Sequence, residues 1–233
     1  MKLKIDIWSD VMCPFCYIGK RKFEMALDKF EHKDQVEVEW HSFQLDADLK
    51  PQPGVSVYDY LAKRKNINRE QSVQMHQQVT DMAASVGLKY NFDKAVIANS
   101  FDAHRLLQLA KTKGLGDKVE EELFRAYFCE GKNTGDKAVL VKLGVAAGLN
   151  EKEVQKMLEG NAFSEEVKQD EQRSREIGVR GVPFFLLENK YVISGAQDST
   201  IFLQALTQVY HEKSQLKDFK VDGNTCTTDG NCD

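Results

Sequence analysis

The chain has 233 residues, of which 42% are hydrophobic and 29% charged, and its formal net charge is -4. This length fits one large domain or two modest ones, and the apolar share is sufficient for an ordinary buried core. The slightly acidic balance lacks the broad basic field that attracts nucleic acids or anionic membranes. No apolar run approaches the roughly 18 residues that cross a bilayer. We therefore expect a globular protein that binds neither nucleic acid nor membrane.

Two cysteines stand where the first predicted strand gives way to the first predicted helix. Residues 3–8 alternate as a strand does, and the apolar positions of residues 14–30 have helical spacing. Cys13 and Cys16 enclose Pro14 and Phe15, and a proline suits the first helical turn because its φ is already helical. The spacing predicts an exposed Cys13 at the helix cap, with Cys16 one turn deeper.

This placement suits a redox-active dithiol. A cysteine at a helix N-terminus faces unpaired backbone N–H groups and the positive end of the helix dipole, which both favour the nucleophilic thiolate. A C-x-x-C pair beside a β–α–β pattern is typical of thioredoxin-like redox motifs. A structural disulfide is one alternative. Half of a zinc site is another, which Cys226 and Cys232 could complete.

The cysteine count also bears on the cellular compartment. Five cysteines, an odd number, argue against a scaffold held together by disulfides. The first ten residues reach acidic positions after a few apolar ones and lack the long apolar segment of a secretory signal. We expect a cytoplasmic protein whose disulfide cycles between oxidised and reduced forms.

The remaining patterns predict an α/β protein with a helical insertion. Residues 36–43 alternate again and complete a β–α–β unit with a right-handed crossover, and periodicity is then helical from about 56 to 157. Further elements are predicted at 164–177 (helix), 184–187 and 191–193 (strands) and 201–210 (helix). This order predicts a thioredoxin-like fold interrupted by an all-α helical insertion domain. The predicted division is 1–50 with 160–215 for the thioredoxin-like domain, 55–158 for the insertion and 216–233 for a flexible tail.

Four ordered motifs resemble the FrnE-like branch of the DsbA superfamily of dithiol–disulfide oxidoreductases. They lie at residues 10–19, 99–107, 123–131 and 178–185, and the resemblance runs from residue 5 to about 210. The resemblance implies a thioredoxin fold with a helical insertion, Cys13 as the attacking and Cys16 as the resolving cysteine, and a cis Val182–Pro183 bond beside them. Kappa-class glutathione transferases and 2-hydroxychromene-2-carboxylate isomerases are related, but they usually carry serine at the position of Cys13. The dithiol therefore favours redox exchange.

Exchange at such a site needs no cofactor beyond the disulfide itself, with glutathione as a conceivable co-substrate. The Cys13 thiolate would attack a disulfide in a protein or a small thiol-derived substrate, and Cys16 would then release the reduced product. Pro14, Phe15, Val182 and Pro183 are the predicted substrate contacts, with the Val182 backbone pairing with an extended substrate. Phe15 adds no cationic partner for the thiolate, which favours a less oxidising pair.

The other cysteines have different surroundings. Cys129 lies in an apolar helical stretch, so we expect it in the core. Cys226 and Cys232 lie in a turn-rich tail, where they are either inert or an auxiliary redox pair that exchanges electrons with the active site.

For most of the histidines and for the charge-rich residues 165–176, the sequence predicts structural or solvated positions rather than catalytic ones. His104 and Arg105 are expected to pack between helices, with a cleft over Cys13 as the alternative. None of the histidines pairs with a carboxylate at metal-ligand spacing, so no metal is expected. We expect His32, His76 and His211 to be solvated, His41 to end a strand, and residues 165–176 to form the wet face of a helix.

Three functions compete on this evidence. The first is a cytoplasmic thiol–disulfide oxidoreductase or isomerase. The second is a glutathione-dependent transferase or isomerase of the kappa-class type, and the third is a non-enzymatic zinc-binding chaperone module.

Overall fold

A four-stranded mixed sheet forms the centre of the protein. The computed structural model describes residues 2–50, 52 and 54–218, so Cys226, Cys232 and most of the predicted tail lie outside the described residues. The strands are β1 (Leu3–Ser9), β2 (Val36–Ser42), β3 (Phe184–Leu187) and β4 (Tyr191–Ser194). They are arranged in the order β2-β1-β3-β4, with β1 parallel to β2 and antiparallel to β3, and β3 antiparallel to β4. This arrangement confirms the predicted β–α–β unit and the later hairpin.

Most of the helices lie in the sequence between β2 and β3, with one between β1 and β2 and one after β4. Their bounds are α1 (Pro14–Lys29), α2 (Val57–Lys65), α3 (Arg69–Ser85), α4 (Phe101–Lys111), α5 (Gly116–Phe124), α6 (Lys137–Ala146), α7 (Glu151–Glu159), α8 (Ser164–Glu176) and α9 (Ser199–Asp218). A π-helical turn, Arg125–Cys129, continues α5. The helices α2 to α7 confirm the predicted insertion, whereas the residue limits proposed for the domains stay a prediction.

Local sequence signals set several helix starts. Asn68 and Gln71 form a reciprocal capping box at α3, and the Asp136 carboxylate accepts hydrogen bonds from the first backbone N–H groups of α6. Such caps each stabilise a helix by about 1 kcal/mol. Glu188 and Asn189 both have φ of 52°, the left-handed backbone that a tight hairpin turn needs, and they join β3 to β4.

The insertion shares buried surface with the sheet. One apolar cluster joins Ile5 of β1 and Phe202 of α9 to Leu106 and Leu123 of the insertion. A second cluster surrounds Cys13 and Cys16 with aromatic side chains, several of them from the insertion: Tyr17, Tyr90, Phe92, Phe124, Tyr127 and Phe128. The inserted helices therefore pack directly against the dithiol.

Two elements differ from expectation. The last helix runs to Asp218, well past the predicted end at Tyr210, and within the stretch of predicted helical periodicity a π-helical turn replaces the regular α-helix at Arg125. Among the described residues, no helix combines the length and apolar character that crossing a bilayer requires.

Candidate active site

The dithiol lies at the first turn of α1, as predicted. Cys13 is the N-cap residue with an extended backbone, and Pro14 begins the helix. The Cys13 N–H donates to the Asp10 carbonyl at 2.9 Å, and the Cys16 N–H donates to the Cys13 carbonyl at 3.0 Å. These bonds fold residues 10–16 into a tight turn that brings the two thiols together at the end of β1.

The prediction that Cys13 is exposed is wrong. Its side chain is 4% exposed, and that of Cys16 is 1% exposed. The Cys13 Sγ donates to the Val182 carbonyl at 3.4 Å, so the segment before β3 covers it. Sequence spacing could not show this cover, because Val182 lies 169 residues along the chain.

The segment that covers Cys13 contains Pro183, and the Val182–Pro183 peptide bond is cis. The Pro183 carbonyl accepts a hydrogen bond from the Gly195 N–H at 2.8 Å, which anchors it to the end of β4. On the side of α1, a Cβ built on Gly19 would lie 2.9 Å from the Pro183 Cγ and 3.5 Å from the Phe185 Cζ. Glycine at position 19 thus lets α1 approach the proline ring closely.

We expect Gly19→Ala to destabilise the fold and to slow exchange. Alanine normally favours a helix interior over glycine by about 0.5–1 kcal/mol, so a net loss would report the clash with Pro183. Forcing atoms into such a packed contact costs about 1–3 kcal/mol. Urea unfolding and disulfide-exchange rates measure the two effects. Gly160→Ala is the matched control, because its new Cβ meets only an ordinary contact at 3.6 Å; an equally stable Gly19→Ala would contradict the packing argument.

A cavity of about 530 Å³ opens beside Cys13. One wall comes from the dithiol turn and the segment before Pro183, and the other comes mainly from the inserted helices α2 and α3. Its apolar lining includes Met12, Pro14, Phe15, Leu45, Val57, Leu61, Met75, Val79, Phe92, Ile97, Phe128 and Val182. Of the four predicted substrate contacts, Pro14, Phe15 and Val182 line this cavity, and Pro183 is buried behind it.

A few polar groups interrupt the apolar lining. Arg64 donates to the Asp46 carboxylate and to the Tyr60 hydroxyl, so its charge is largely satisfied. Lys65 and His76 also line the cavity. The His76 ring packs edge-on to Tyr58 and Phe92, and burial lowers its pKa, which corrects the prediction that His76 is simply solvated. The cavity therefore suits a mainly apolar ligand that carries a charged group.

Beneath the dithiol lies a group of buried polar side chains. Burial and the neighbouring Cys13 raise the pKa of Cys16 well above its usual value. The Ser9 hydroxyl donates to Glu120 Oε1 at 2.7 Å, and burial raises the pKa of Glu120 to about 7. His104 Nε2 lies 3.5 Å from Asp10 Oδ1; burial opposes its charge, but Asp10 outweighs burial and the pKa of His104 is raised.

A second polar group lies at the side of the sheet, behind Trp8. His41 is held between Asp6 and Asp170, with both N–O distances 2.6 Å, and Asp170 also accepts from the Ser42 N–H at 2.8 Å. The Trp8 ring stacks on His41 with centroids 4.5 Å apart. The search for metal-ligand spacing along the sequence could not reveal this pairing, because Asp6 and Asp170 lie 35 and 129 residues from His41. The prediction that residues 165–176 form only a wet face fails at Asp170, which is buried against β2.

Other sequence interpretations can now be located. Arg105 is buried and donates to the carbonyls of Met157, Gly160 and Ala162, so it packs the insertion together rather than lining a cleft. Cys129 is half-buried at the end of the π-helical turn, less enclosed than predicted, and burial raises its pKa.

The described residues hold one group with the composition of a metal site. Ligand atoms of Asp6, Glu39 and His41 lie within 4.8 Å of one another. Lys4 already lies 2.8 Å from Glu39 and 3.3 Å from Asp6, and Lys111 lies 3.2 Å from Glu39. These ammonium groups compensate the carboxylates, so the group is a buried ion network without any cysteine. The expected absence of a metal stays a prediction.

The fold and the site define a thioredoxin-like protein with a dithiol at a helix N-terminus and an inserted helical domain. Its sequence gives the family: the chain belongs to the DSBA-like thioredoxin domain family, whose model matches residues 4–207. It is a thiol–disulfide oxidoreductase of that family. The narrower placement in the FrnE-like branch stays a prediction.

Three known proteins are similar to this chain to different degrees. The crystal structure of a probable DsbA oxidoreductase from Streptomyces coelicolor is 37% identical and has a TM-score of 0.87, covering 99% of this chain and 98% of that one. Protein YwbO of Bacillus subtilis is 29% identical over 215 residues, covering 91% of this chain and all of YwbO. The cytosolic disulfide reductase DsbM from Pseudomonas aeruginosa, solved with GSH, is 17% identical with a TM-score of 0.62, covering 92% and 99%. This last likeness shows the fold alone.

Proposed function

We propose that the protein exchanges disulfides through Cys13 and Cys16, with Cys13 as the attacking and Cys16 as the resolving cysteine. The observation that carries the proposal is the position of the Cys13 Sγ. It lies at the N-cap of α1, within 3.4 Å of the Val182 carbonyl, and borders a cavity of about 530 Å³. The helix N-terminus favours the thiolate, and the cavity gives a disulfide access to a sulfur that is otherwise covered.

The chemistry proceeds in two exchanges. The Cys13 thiolate attacks one sulfur of the substrate disulfide; a Cys13–substrate bond forms, the substrate S–S bond breaks, and its electron pair leaves on the second substrate sulfur. Cys16 then attacks the Cys13 sulfur, forms the Cys13–Cys16 disulfide and releases the first substrate sulfur as a thiolate. A reducing thiol regenerates the dithiol. The same steps in reverse oxidise a substrate dithiol.

The cavity supports a substrate with apolar groups beside its disulfide. Phe15 and Leu45, which line the cavity, are each about two-fifths exposed, at 39% and 42%. They add apolar surface on which an unfolded protein segment or an aromatic disulfide could rest. We propose an extended protein segment or a small apolar disulfide as substrate, with the Val182 backbone beside the reacting sulfurs.

Glutathione is the second candidate, as a co-substrate or in a transferase reaction. The lining of the cavity includes Lys65 and the Arg64–Asp46 pair, which could bind the charged ends of a tripeptide. DsbM was solved with GSH and is named a cytosolic reductase, which supports both this candidate and a cytoplasmic setting. Cys226 and Cys232 remain a proposed auxiliary pair.

The test is the reduction potential of the dithiol in glutathione buffers, run beside an insulin-reduction assay. We expect one two-electron transition in the wild type, and we expect it to be lost together with the activity in Cys13→Ser. Cys129→Ser is the matched control and should retain both. Related dithiols span about -270 to -120 mV, and a value near the reducing end would support a reductase. A wild-type chain without a transition would overturn the exchange mechanism in favour of glutathione transfer.

A further inference from the structure

Tyr127 places a hydroxyl group in the wall of the cavity beside Cys13. Its side chain is 4% exposed and lines the cavity. Among the residues that the structure describes, no group hydrogen-bonds to the Tyr127 hydroxyl, and its oxygen is not one of the fully enclosed polar atoms that lack a partner. The oxygen therefore opens into the cavity. A largely buried hydroxyl without a partner is costly, which indicates that a bound molecule supplies one.

The backbone that carries Tyr127 is unusual. Arg125–Cys129 is a π-helical turn, in which the Glu130 N–H donates to the Arg125 carbonyl at 3.1 Å. Such turns are rare, and they are frequently found at functional sites. Phe128 is fully enclosed within the aromatic cluster around the dithiol. The turn thus anchors one aromatic ring beside the dithiol and presents the preceding ring, that of Tyr127, to the cavity.

The polar groups near the Tyr127 hydroxyl already have partners of their own. Asp10 and Tyr60 both act on this hydroxyl electrostatically. The Asp10 carboxylate accepts from two backbone N–H groups, at 3.2 and 2.7 Å. The Tyr60 hydroxyl donates to Asp46 at 2.8 Å and accepts from the Arg64 guanidinium at 2.7 Å. The hydrogen bond of Tyr127 is therefore left for a ligand.

The surroundings favour a neutral acceptor over a negatively charged one. Burial raises the pKa of Tyr127, and the Asp10 carboxylate raises it further, so the phenol stays protonated and can donate. The same two influences disfavour a carboxylate at this position, because it would bring a buried negative charge near Asp10. A carbonyl oxygen accepts the hydrogen bond without bringing a charge, and every peptide group supplies one.

We propose that the Tyr127 hydroxyl donates a hydrogen bond to a peptide carbonyl of the substrate, beside the disulfide that Cys13 attacks. This inference rests on the proposed function and selects, from the substrates proposed there, the extended protein segment. Val182 lines the cavity from the segment before β3, whereas Tyr127 lines it from the insertion, so the substrate would be held by both parts of the chain. The carbonyl does not change during exchange, so the bond contributes to binding and leaves the chemical step unaltered.

The test compares two disulfides that differ in their carbonyl groups. The disulfide of N-acetylcysteine methylamide is neutral and carries amide carbonyls on both halves, whereas diethyl disulfide carries none. Reduced protein is mixed with increasing concentrations of each disulfide and quenched with acid, and the remaining thiols are counted by alkylation and intact mass. The half-saturating concentration and the maximal rate are obtained for each disulfide.

We expect Tyr127→Phe to raise the half-saturating concentration of the peptide disulfide about tenfold, the effect of losing one hydrogen bond of ordinary strength, and to leave its maximal rate within about twofold. With diethyl disulfide, both quantities should stay within about twofold of the wild type. Tyr210→Phe is the matched control. It removes a hydroxyl of α9 that accepts from Gln35, outside the cavity, and should match the wild type with both disulfides.

Urea unfolding distinguishes a ligand-binding hydroxyl from a structural one. Because no described residue bonds to the Tyr127 hydroxyl, Tyr127→Phe should be at least as stable as the wild type: the change removes a polar group whose desolvation is not repaid within the protein. A clearly less stable variant would show that the hydroxyl has a partner inside the protein, and this would overturn the proposal.

The outcomes also separate this inference from the proposed function. A wild-type protein that reacts with neither disulfide would overturn the function itself. A reactive wild type, with Tyr127→Phe unchanged toward the peptide disulfide or weakened equally toward both disulfides, would overturn the role of Tyr127 and leave the exchange mechanism standing. A normal reaction of the variant with diethyl disulfide shows that its site is folded.

Discussion

Replacing Cys16 with serine is expected to stop exchange after its first step and to leave the substrate covalently attached to Cys13. The side chain of Cys13 borders the cavity, whereas Cys16 is enclosed behind it and can reach a substrate sulfur only through Cys13. A serine hydroxyl does not attack the mixed disulfide, so turnover should fall to background. Intact mass measurement after incubation with a disulfide substrate should show one adduct per chain, which a reducing agent removes.

Two further variants make this result specific. The double replacement of Cys13 and Cys16 by serine should lose the adduct at position 13, and Cys129→Ser with the dithiol intact should turn over normally. An adduct on Cys129 instead of Cys13 in the Cys16→Ser protein would contradict the proposal that Cys13 is the attacking cysteine. Peptide mapping of the adduct decides between the two sites.

The second large effect is expected at Asp170, where an asparagine should cost about 3–5 kcal/mol of stability, the usual loss when one partner of a buried ion pair is removed. The Asp170 carboxylate accepts from His41, from the Ser42 N–H and from Gln108, all in the buried space behind Trp8. The neutral amide would leave His41 with one carboxylate partner instead of two. Urea unfolding near neutral pH measures the loss. Glu166→Gln, an exposed change on the same helix, should stay within about 0.5 kcal/mol of the wild type.

The same network predicts how stability depends on pH. Burial lowers the pKa of His41, but its hydrogen bonds to Asp170 and Asp6 outweigh burial, so the pKa is raised above 6.5. The stability that protonated His41 contributes is therefore complete below pH 6.5 and is lost as the pH rises through the folded-state pKa. Burial raises the pKa values of Asp6 and Asp170, but His41 outweighs it and holds both below 3.8. Their contribution is present above pH 3.8 and disappears as the pH falls through their folded-state pKa values.

Unfolding measured across the pH range checks these signs. The wild type should lose stability above the raised His41 pKa, and in Asp170→Asn that loss should begin at lower pH because His41 has lost its strongest partner. Identical pH profiles for the two proteins would show that the network does not titrate on unfolding.

The sequence predicted the sheet, the dithiol turn and the cis Val182–Pro183 bond because each follows from a local pattern or a family motif. Strand β3 has the predicted bounds, since Phe184–Leu187 is a short apolar run between turn signals. The burial of Cys13 could not be predicted in this way. It depends on Val182 and on helices α2 and α3, which meet only when the chain folds.

The buried carboxylates were missed for a related reason. Asp170 lies in a charge-rich stretch that was predicted to be a solvated helix face, and Glu120, within a run of three glutamates, was not singled out. A signal was nevertheless present. Asp170 is three residues from Val167 on one helix face, and Glu120 is three and four residues from Leu123 and Phe124, which places both acids among apolar neighbours.

The two walls of the cavity come from separate stretches of the chain, with consequences for how such a protein diversifies. The sulfurs and the turn that holds them belong to residues 9–19, whereas much of the facing wall belongs to residues 57–79 of the inserted helices. Substitutions in the inserted stretch can change which molecules fit without disturbing the bonds that are exchanged. A lineage of such proteins could therefore acquire new substrates by mutation of one segment while selection holds the other constant.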